Sequence, residues 1–183
     1  MKTSQIECTI YTSANHERYN AAIQQFDCSL DSNTNAINEA LRRALQYNVT
    51  TILFIDSQNN CIIGFCSFCC SSLKIGDDVR PAMLIESFGI DKRYQNTSLE
   101  DDPLPCSAFI LEYCVAYLTE ISHNYIYAKY VILYSLQNQN TLRFYLKNGF
   151  GHFDANNRSL RRRGESNDIY SLFRVIDTLD VGM

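Results

Sequence analysis

The stretch Ile85-Glu86-Ser87-Phe88-Gly89-Ile90-Asp91-Lys92-Arg93-Tyr94-Gln95 decides how this chain folds. Its first half belongs to Pro81–Ile90, an apolar run that reads as a strand. Its second half turns abruptly polar, so the strand stops there. Strand alternation puts Glu86, Phe88 and Ile90 on one face. Asp91–Pro105 is irregular and contains Glu100-Asp101-Asp102. Next, Ile110, Cys114, Tyr117, Leu118 and Ile121 recur at helical spacing, with Pro105 suited to a first turn. Lys129–Ser135 (KYVILYS) is again a strand. Segments 83–90, 105–121 and 129–135 therefore predict a parallel β-α-β unit with a right-handed crossover.

Upstream, residues 5–12 alternate weakly, as an edge strand does. Tyr19, Ala22, Ile23 and Phe26 give a first helix over Asn15–Phe26. Asn35 can cap a second helix carrying Ile37, Ala40, Leu41, Ala44 and Leu45. Thr51–Asp56 and Cys61–Cys70 read as two strands joined by the turn 57–60. The second is apolar on both faces, which suits the middle of a covered sheet. Lys74–Asp78 is a further turn. Downstream, Asn138 or Asn140 opens a short helix on which Leu142, Tyr145 and Leu146 share a face. Gly149 supplies its left-handed stop. Gly151–Phe153 and Ile169–Ile176 read as strands around a polar loop. The order predicts one mixed α/β (α+β) domain spanning 1–183.

Composition narrows the function classes. The chain has 183 residues, 46% apolar and 20% charged, with net charge −4. Such a chain folds, and its acidic balance does not suit a sequence-independent grip on nucleic acid. No apolar leader precedes residue 5, and no run approaches the roughly 18 apolar residues of a membrane span. The expected compartment is the cytoplasm, with no membrane partner. There the eight Cys stay reduced and fill core space. Cys66-x-x-Cys69-Cys70 lacks a second pair or a nearby His, so no metal site is expected. His16, His123 and His152 have no partner pattern.

Two patches carry a resemblance. Residues 85–95 are similar to a strand running into a "V-D-x-x-Y-Q/R" loop. Asn138-Gln139-Asn140-Thr141-Leu142-Arg143-Phe144-Tyr145-Leu146-Lys147-Asn148-Gly149-Phe150 is similar to "N-x-x-A-x-x-F-Y-x-x-x-G-F", with Thr141 in place of Ala. With the element order, they resemble the GNAT superfamily of acetyl-CoA-dependent N-acetyltransferases. The resemblance implies a GNAT-like central sheet, mixed but mostly antiparallel. A splayed parallel strand pair and helices on both faces complete that picture. It implies acetyl-CoA as cofactor, with pantetheine bonded to backbone at Phe88 and Ile90. It assigns Gln95, Asn96, Cys106, Ser107, Ala108 and Asn138 to cofactor binding. Tyr145 takes the family's general-acid position, where a phenol of pKa about 10 is protonated at neutral pH. Glu86 takes the position of a carboxylate that accepts the amine proton. The acceptor is then a primary amine of a small molecule or protein. No covalent enzyme intermediate is needed, so no Cys acts as nucleophile. A homodimer is implied by the resemblance alone.

One departure stands out. The family loop continues Q/R-x-x-G-x-G/A, whose glycines let amides approach pyrophosphate. Here Asn96, Thr97, Ser98, Leu99 and Glu100 follow Gln95, and no glycine lies between Gly89 and Gly149. About six residues are inserted before the helix. This motivates an alternative, a non-catalytic domain that binds an acyl-CoA or other ligand. Another alternative is a toxin-type acetyltransferase acting on aminoacyl-tRNA. It is suggested by the "D-K-R-Y-Q" wording and by Arg158–Arg163, in which Arg161, Arg162 and Arg163 could meet an anionic partner.

Overall fold

A computed structural model describes residues 1–28, 36–47, 49–75, 77–136, 138–152 and 169–176. The elements are β1 (Ile6–Ile10), α1 (His16–Gln25), α2 (Ala36–Gln46), β2 (Thr50–Asp56), β3 (Cys61–Ile75), β4 (Asp78–Ile90), α3 (Cys106–Ile121), β5 (Tyr130–Leu136), α4 (Gln139–Lys147), β6 (Gly151–His152) and β7 (Ile169–Val175). The strands form one seven-stranded sheet in the order β1-β2-β3-β4-β5-β7-β6. Pairs β1/β2, β2/β3, β5/β7 and β6/β7 are antiparallel. The pair β4/β5 is parallel, as the intervening helix requires. Its register covers Met83–Ile85 against Val131–Leu133, after which β4 runs on to Ile90 and β5 to Leu136. This is the predicted mixed, mostly antiparallel sheet.

The chain divides into two compact units. The first is Met1–Cys69 with Glu86–Leu111, and the second is Cys70–Ile85 with the described residues from Glu112 on. In the first, α1 and α2 bury Tyr19, Ala22, Ile23, Ile37, Ala40 and Leu41 in a cluster with Leu53, Ile55, Ile62 and Phe65. A buried Leu or Ile there is worth about 2–5 kcal/mol against Ala. In the second, Met83, Cys114, Leu118, Val131, Leu133 and Leu172 are buried.

Several expectations shift. β3 and β4 form a longer hairpin than the apolar runs Cys61–Cys70 and Pro81–Ile90 suggest. Residues 78–81 are exposed, so the core imposes no alternation there although the strand continues. Leu45 is 49% and Leu146 39% exposed, so the buried stripes of α2 and α4 are narrower than their sequences suggest. After α3 comes an unpredicted π turn, Ser122–Ile126, which closes on Tyr127 at φ 60°. The expected Asn35 cap, Phe153 and the Arg158–Arg163 cluster lie outside the described residues.

Candidate active site

In the first unit, the site residues sit on the end of β4, the loop behind it and the first turn of α3. Two glycines permit close approach in this region. A Cβ on Gly64 would lie 2.8 Å from the Gly89 carbonyl oxygen, and one on Gly89 would lie 2.7 Å from Phe65 Cε1. Real Cβ atoms do not tolerate such distances, so side chains are excluded at both positions.

Glu86 is not a lone carboxylate. Its side chain is 6% exposed, and Arg43 Nη2 donates to Oε1 at 2.9 Å. Arg43 lies on α2, and nothing in the sequence links it to Glu86. Phe88 is half-buried and Ile90 buried, and the Ile90 carbonyl accepts from Gln95 Nε2 at 3.0 Å. The second Gln95 contact is to the Cys28 carbonyl at 3.1 Å.

Within Asp91–Gln95 the buried side chain is that of Asp91, and its neighbours bond back onto the fold. Asp91 is 1% exposed. Its Oδ1 accepts from Arg93 N–H at 3.0 Å and Nε at 2.8 Å, and its Oδ2 from Arg93 Nη2 at 2.9 Å and Asp27 N–H at 3.0 Å. Burial alone would raise the Asp91 carboxyl, but the Arg93 fork and the two amides outweigh it and hold it below the ordinary range. Tyr94 O–H donates to Asp56 at 3.0 Å, and burial first, then Asp56, pushes its phenol upward. Side chains thus shape the Asp91–Gln95 part of the loop, ahead of the positions where the family pattern has glycines.

The inserted residues form a closed excursion. Cys106 N–H donates to the Thr97 carbonyl at 2.9 Å, and Ser98 and Pro105 form a bridge at the neck. The acidic triplet has local partners. Glu100 pairs with the Met1 amine at 3.0 Å, Asp101 accepts from Thr3 N–H and Oγ1, and Asp102 accepts from Leu104 N–H. The neck also changes the predicted amide set. Thr97 takes the Cys106 amide, and burial pushes the Cys106 thiol up to about 11. Phe109 N–H donates to the Pro105 carbonyl. Of the predicted α3 amides, those of Ser107 and Ala108 are left by these bonds to meet an anion. Ser107 Oγ reaches the Gln95 carbonyl at 3.4 Å.

In the second unit, Asn138 caps α4 by accepting from Asn140 N–H at 2.9 Å. Tyr145 is the buried residue of α4, 7% exposed. Its ring stands edge-on to Phe144 and Phe150, with centroids 5.3 and 5.8 Å away. Gly149 at φ 80° ends the helix, and Phe150 N–H returns to the Tyr145 carbonyl at 3.1 Å. Sequence reasoning missed Arg174, which forks onto Glu112 and donates to the Asn148 carbonyl. A cavity of about 500 Å³ beside Glu112, His123, Tyr127 and Arg174 is lined by neither Asn138 nor Tyr145. Among the described residues no group of three His, Cys, Asp or Glu is placed to hold a metal. No helix among them is long and apolar enough to cross a membrane.

No family profile and no curated protein matches the sequence. Solved structures do match the fold. A tyrosine-to-phenylalanine mutant of the toxin AtaT, bound to the C-terminus of the antitoxin AtaR and acetyl-CoA, superposes with a TM-score of 0.68 at 15% identity, covering 94% of each chain. AtaT complexed with acetyl-methionyl-tRNAfMet gives 0.63 at 15% identity, covering 91% of this chain and 93% of that one. The NatC complex bound to Gag peptide and CoA gives 0.58 at 15% identity, covering 96% and 99%. The chain therefore shares the fold of these structures, a mixed α/β sheet of the GNAT type.

Proposed function

We propose that this protein is an acetyl-CoA-dependent N-acetyltransferase acting on a primary amine, with the chain taken as one cytoplasmic domain. The observation that carries this reading is the fold match over nearly the whole chain, with 85–95 falling on the end of β4 and its loop and 138–150 on α4. Local chemistry supports it. The Ser107 and Ala108 amides open a 16-residue helix and suit a pyrophosphate. The acidic triplet is engaged with Met1, Thr3 and Leu104. Acetyl-CoA, when bound, supplies an acyl group on a thioester. Glu86 takes a proton from the acceptor amine as its nitrogen bonds to the acyl carbon, and Arg43 steadies the carboxylate. Tyr145 gives a proton to the departing sulfur. Phe88 and Ile90 offer backbone groups to the cofactor, as do Gln95 and Asn96, and Asn138 contacts it from the start of α4.

Calorimetry with acetyl-CoA, followed by thiol release over a panel of amines, tests the proposal. Micromolar binding with acceptor-dependent thiol release is expected. No heat at millimolar acetyl-CoA overturns it and leaves the non-catalytic reading, which the glycine-free loop favours. A second acceptor class, aminoacyl-tRNA, is favoured by the likeness to AtaT bound to acetyl-methionyl-tRNAfMet. Acetylation of charged but not uncharged tRNA, weakened by neutralising Arg161, Arg162 and Arg163, would select it.

A further inference from the structure

We propose that Asp91 is a positioning residue that clamps the cofactor loop to the segment leaving α1, so that acetyl-CoA affinity and order at Asp27–Cys28 rise and fall together. The inference rests on the proposed function for its cofactor, but the clamp is visible without one. Asp91 holds the Asp27 amide and both the amide and the guanidinium of Arg93. Lys92 N–H donates to the Asp27 carbonyl at 2.8 Å, and Lys92 Nζ meets Asp27 Oδ2 at 2.6 Å. Gln95 Nε2 reaches the Cys28 carbonyl. Four contacts, from Asp91, Lys92 and Gln95, thus tie 91–95 to 27–28. On the other side, Asp91 N–H donates to the Ile63 carbonyl in β3.

The same contacts weigh against an obvious alternative, that Arg93 is itself a phosphate ligand. Its Nε and Nη2 lie on Asp91, and Nη1 lies 3.6 Å from Cys61 Sγ. The side-on edge of the guanidinium is thus spent on Asp91. What the loop offers a phosphate is backbone, and glycine-free backbone needs outside support to hold one shape. Thr97 Oγ1 on the Arg93 carbonyl and Ser107 Oγ on the Gln95 carbonyl continue that support to α3. A ligand that fixes the loop fixes Asp27 and Cys28 through the same bonds, and loss of the clamp separates the two responses.

The two roles for Arg93 predict opposite signs. D91N leaves Arg93 charged but weakens its hold. If Arg93 were a phosphate ligand, release would tighten acetyl-CoA binding. As a clamp, D91N weakens binding on the order of tenfold. R93Q weakens it similarly while leaving the salt dependence of binding unchanged, since no phosphate contact is lost. Amide hydrogen exchange supplies the second readout. In the wild type, acetyl-CoA slows exchange at the Asp27 and Arg93 amides; in D91N, the added protection at Asp27 disappears. A merely structural role would lower the melting temperature and leave that ligand-dependent protection in place. Should D91N not fold, R93K keeps the charge, loses the fork and is expected to bind more weakly. Unchanged or tighter binding in D91N or R93K overturns the proposal, and so does a reduced salt slope in R93Q. If the wild type does not bind acetyl-CoA, the acetyltransferase reading fails by itself. The clamp is then judged on the free protein. D91N or R93K must speed exchange at the Asp27 amide about tenfold or more with β2 unaffected; equal rates overturn it.

Discussion

The loop behind β4 and the end of α4 meet one problem with opposite solutions. Both must turn the backbone sharply beside residues assigned to the reaction or its cofactor. At the end of α4, Gly149 takes φ 80° and the chain reverses in one step. Behind β4 no glycine is present, and Asp91, Arg93, Tyr94 and Gln95 bend the chain by side-chain hydrogen bonds. The comparison teaches that a sharp turn does not require glycine. Its absence marks a change of means, from local backbone freedom to a distributed network.

The comparison can be broken at four places. The largest effect falls on chemistry. Tyr145→Phe keeps the ring contacts with Phe144 and Phe150 and removes the hydroxyl, so turnover should fall about 10²–10⁴-fold with little change in acetyl-CoA affinity. Thiol release and calorimetry measure the two separately, and unchanged turnover removes the assigned role.

The next effect probes the network. Asp91→Asn should lower stability by about 2 kcal/mol, because the charge-assisted bonds to Arg93 are lost. The Asp91 carboxyl sits lower in the folded chain than in the unfolded one. Its contribution is therefore complete above about pH 4 and is lost as pH falls further. Denaturant melts from pH 7 to pH 3 should show the wild type converging on the variant. Parallel curves would show that Asp91 carries no such linkage.

The glycine end should yield less. Gly149→Ala forces a Cβ into the left-handed region, 3.4 Å from Arg174 Nε, at about 1–2 kcal/mol. The loss should appear in the melting temperature at every pH, unlike that of Asp91→Asn. The smallest effect belongs to the acidic triplet. Asp101→Ala should leave acetyl-CoA affinity within about twofold, since exposed charges bonded to Thr3 are screened. A marked gain in affinity would mean that the triplet repels the phosphates.

What was legible in the sequence follows the range of the interactions. The α4 turn was legible because cap, ring and Gly149 lie within 138–150. The β-α-β order was legible because its periods are strong. The outer ends of β3 and β4 were not, because exposed pairing leaves no apolar alternation. The stripes on α2 and α4 are narrower than their patterns because spacing alone does not set how much of a helix face meets the core. Arg43 was invisible as the partner of Glu86 because only folding brings α2 to β4. Asp91 belongs to a local motif, yet its bond to the Asp27 amide spans 64 residues. The Cys106 amide, expected to face an anion, is instead bonded to the Thr97 carbonyl across the neck, a contact no local pattern announces.

The neck has a further use. Residues 97 and 106 are hydrogen-bonded across the base of the excursion, so the chain between them can change length without moving either end of the structure it joins. Doubling such a loop adds only about 0.6 kcal/mol of closure entropy. The Asp102-Pro103 step is therefore a natural port for a peptide tag or a reporter group, one that leaves β4 and α3 where they are.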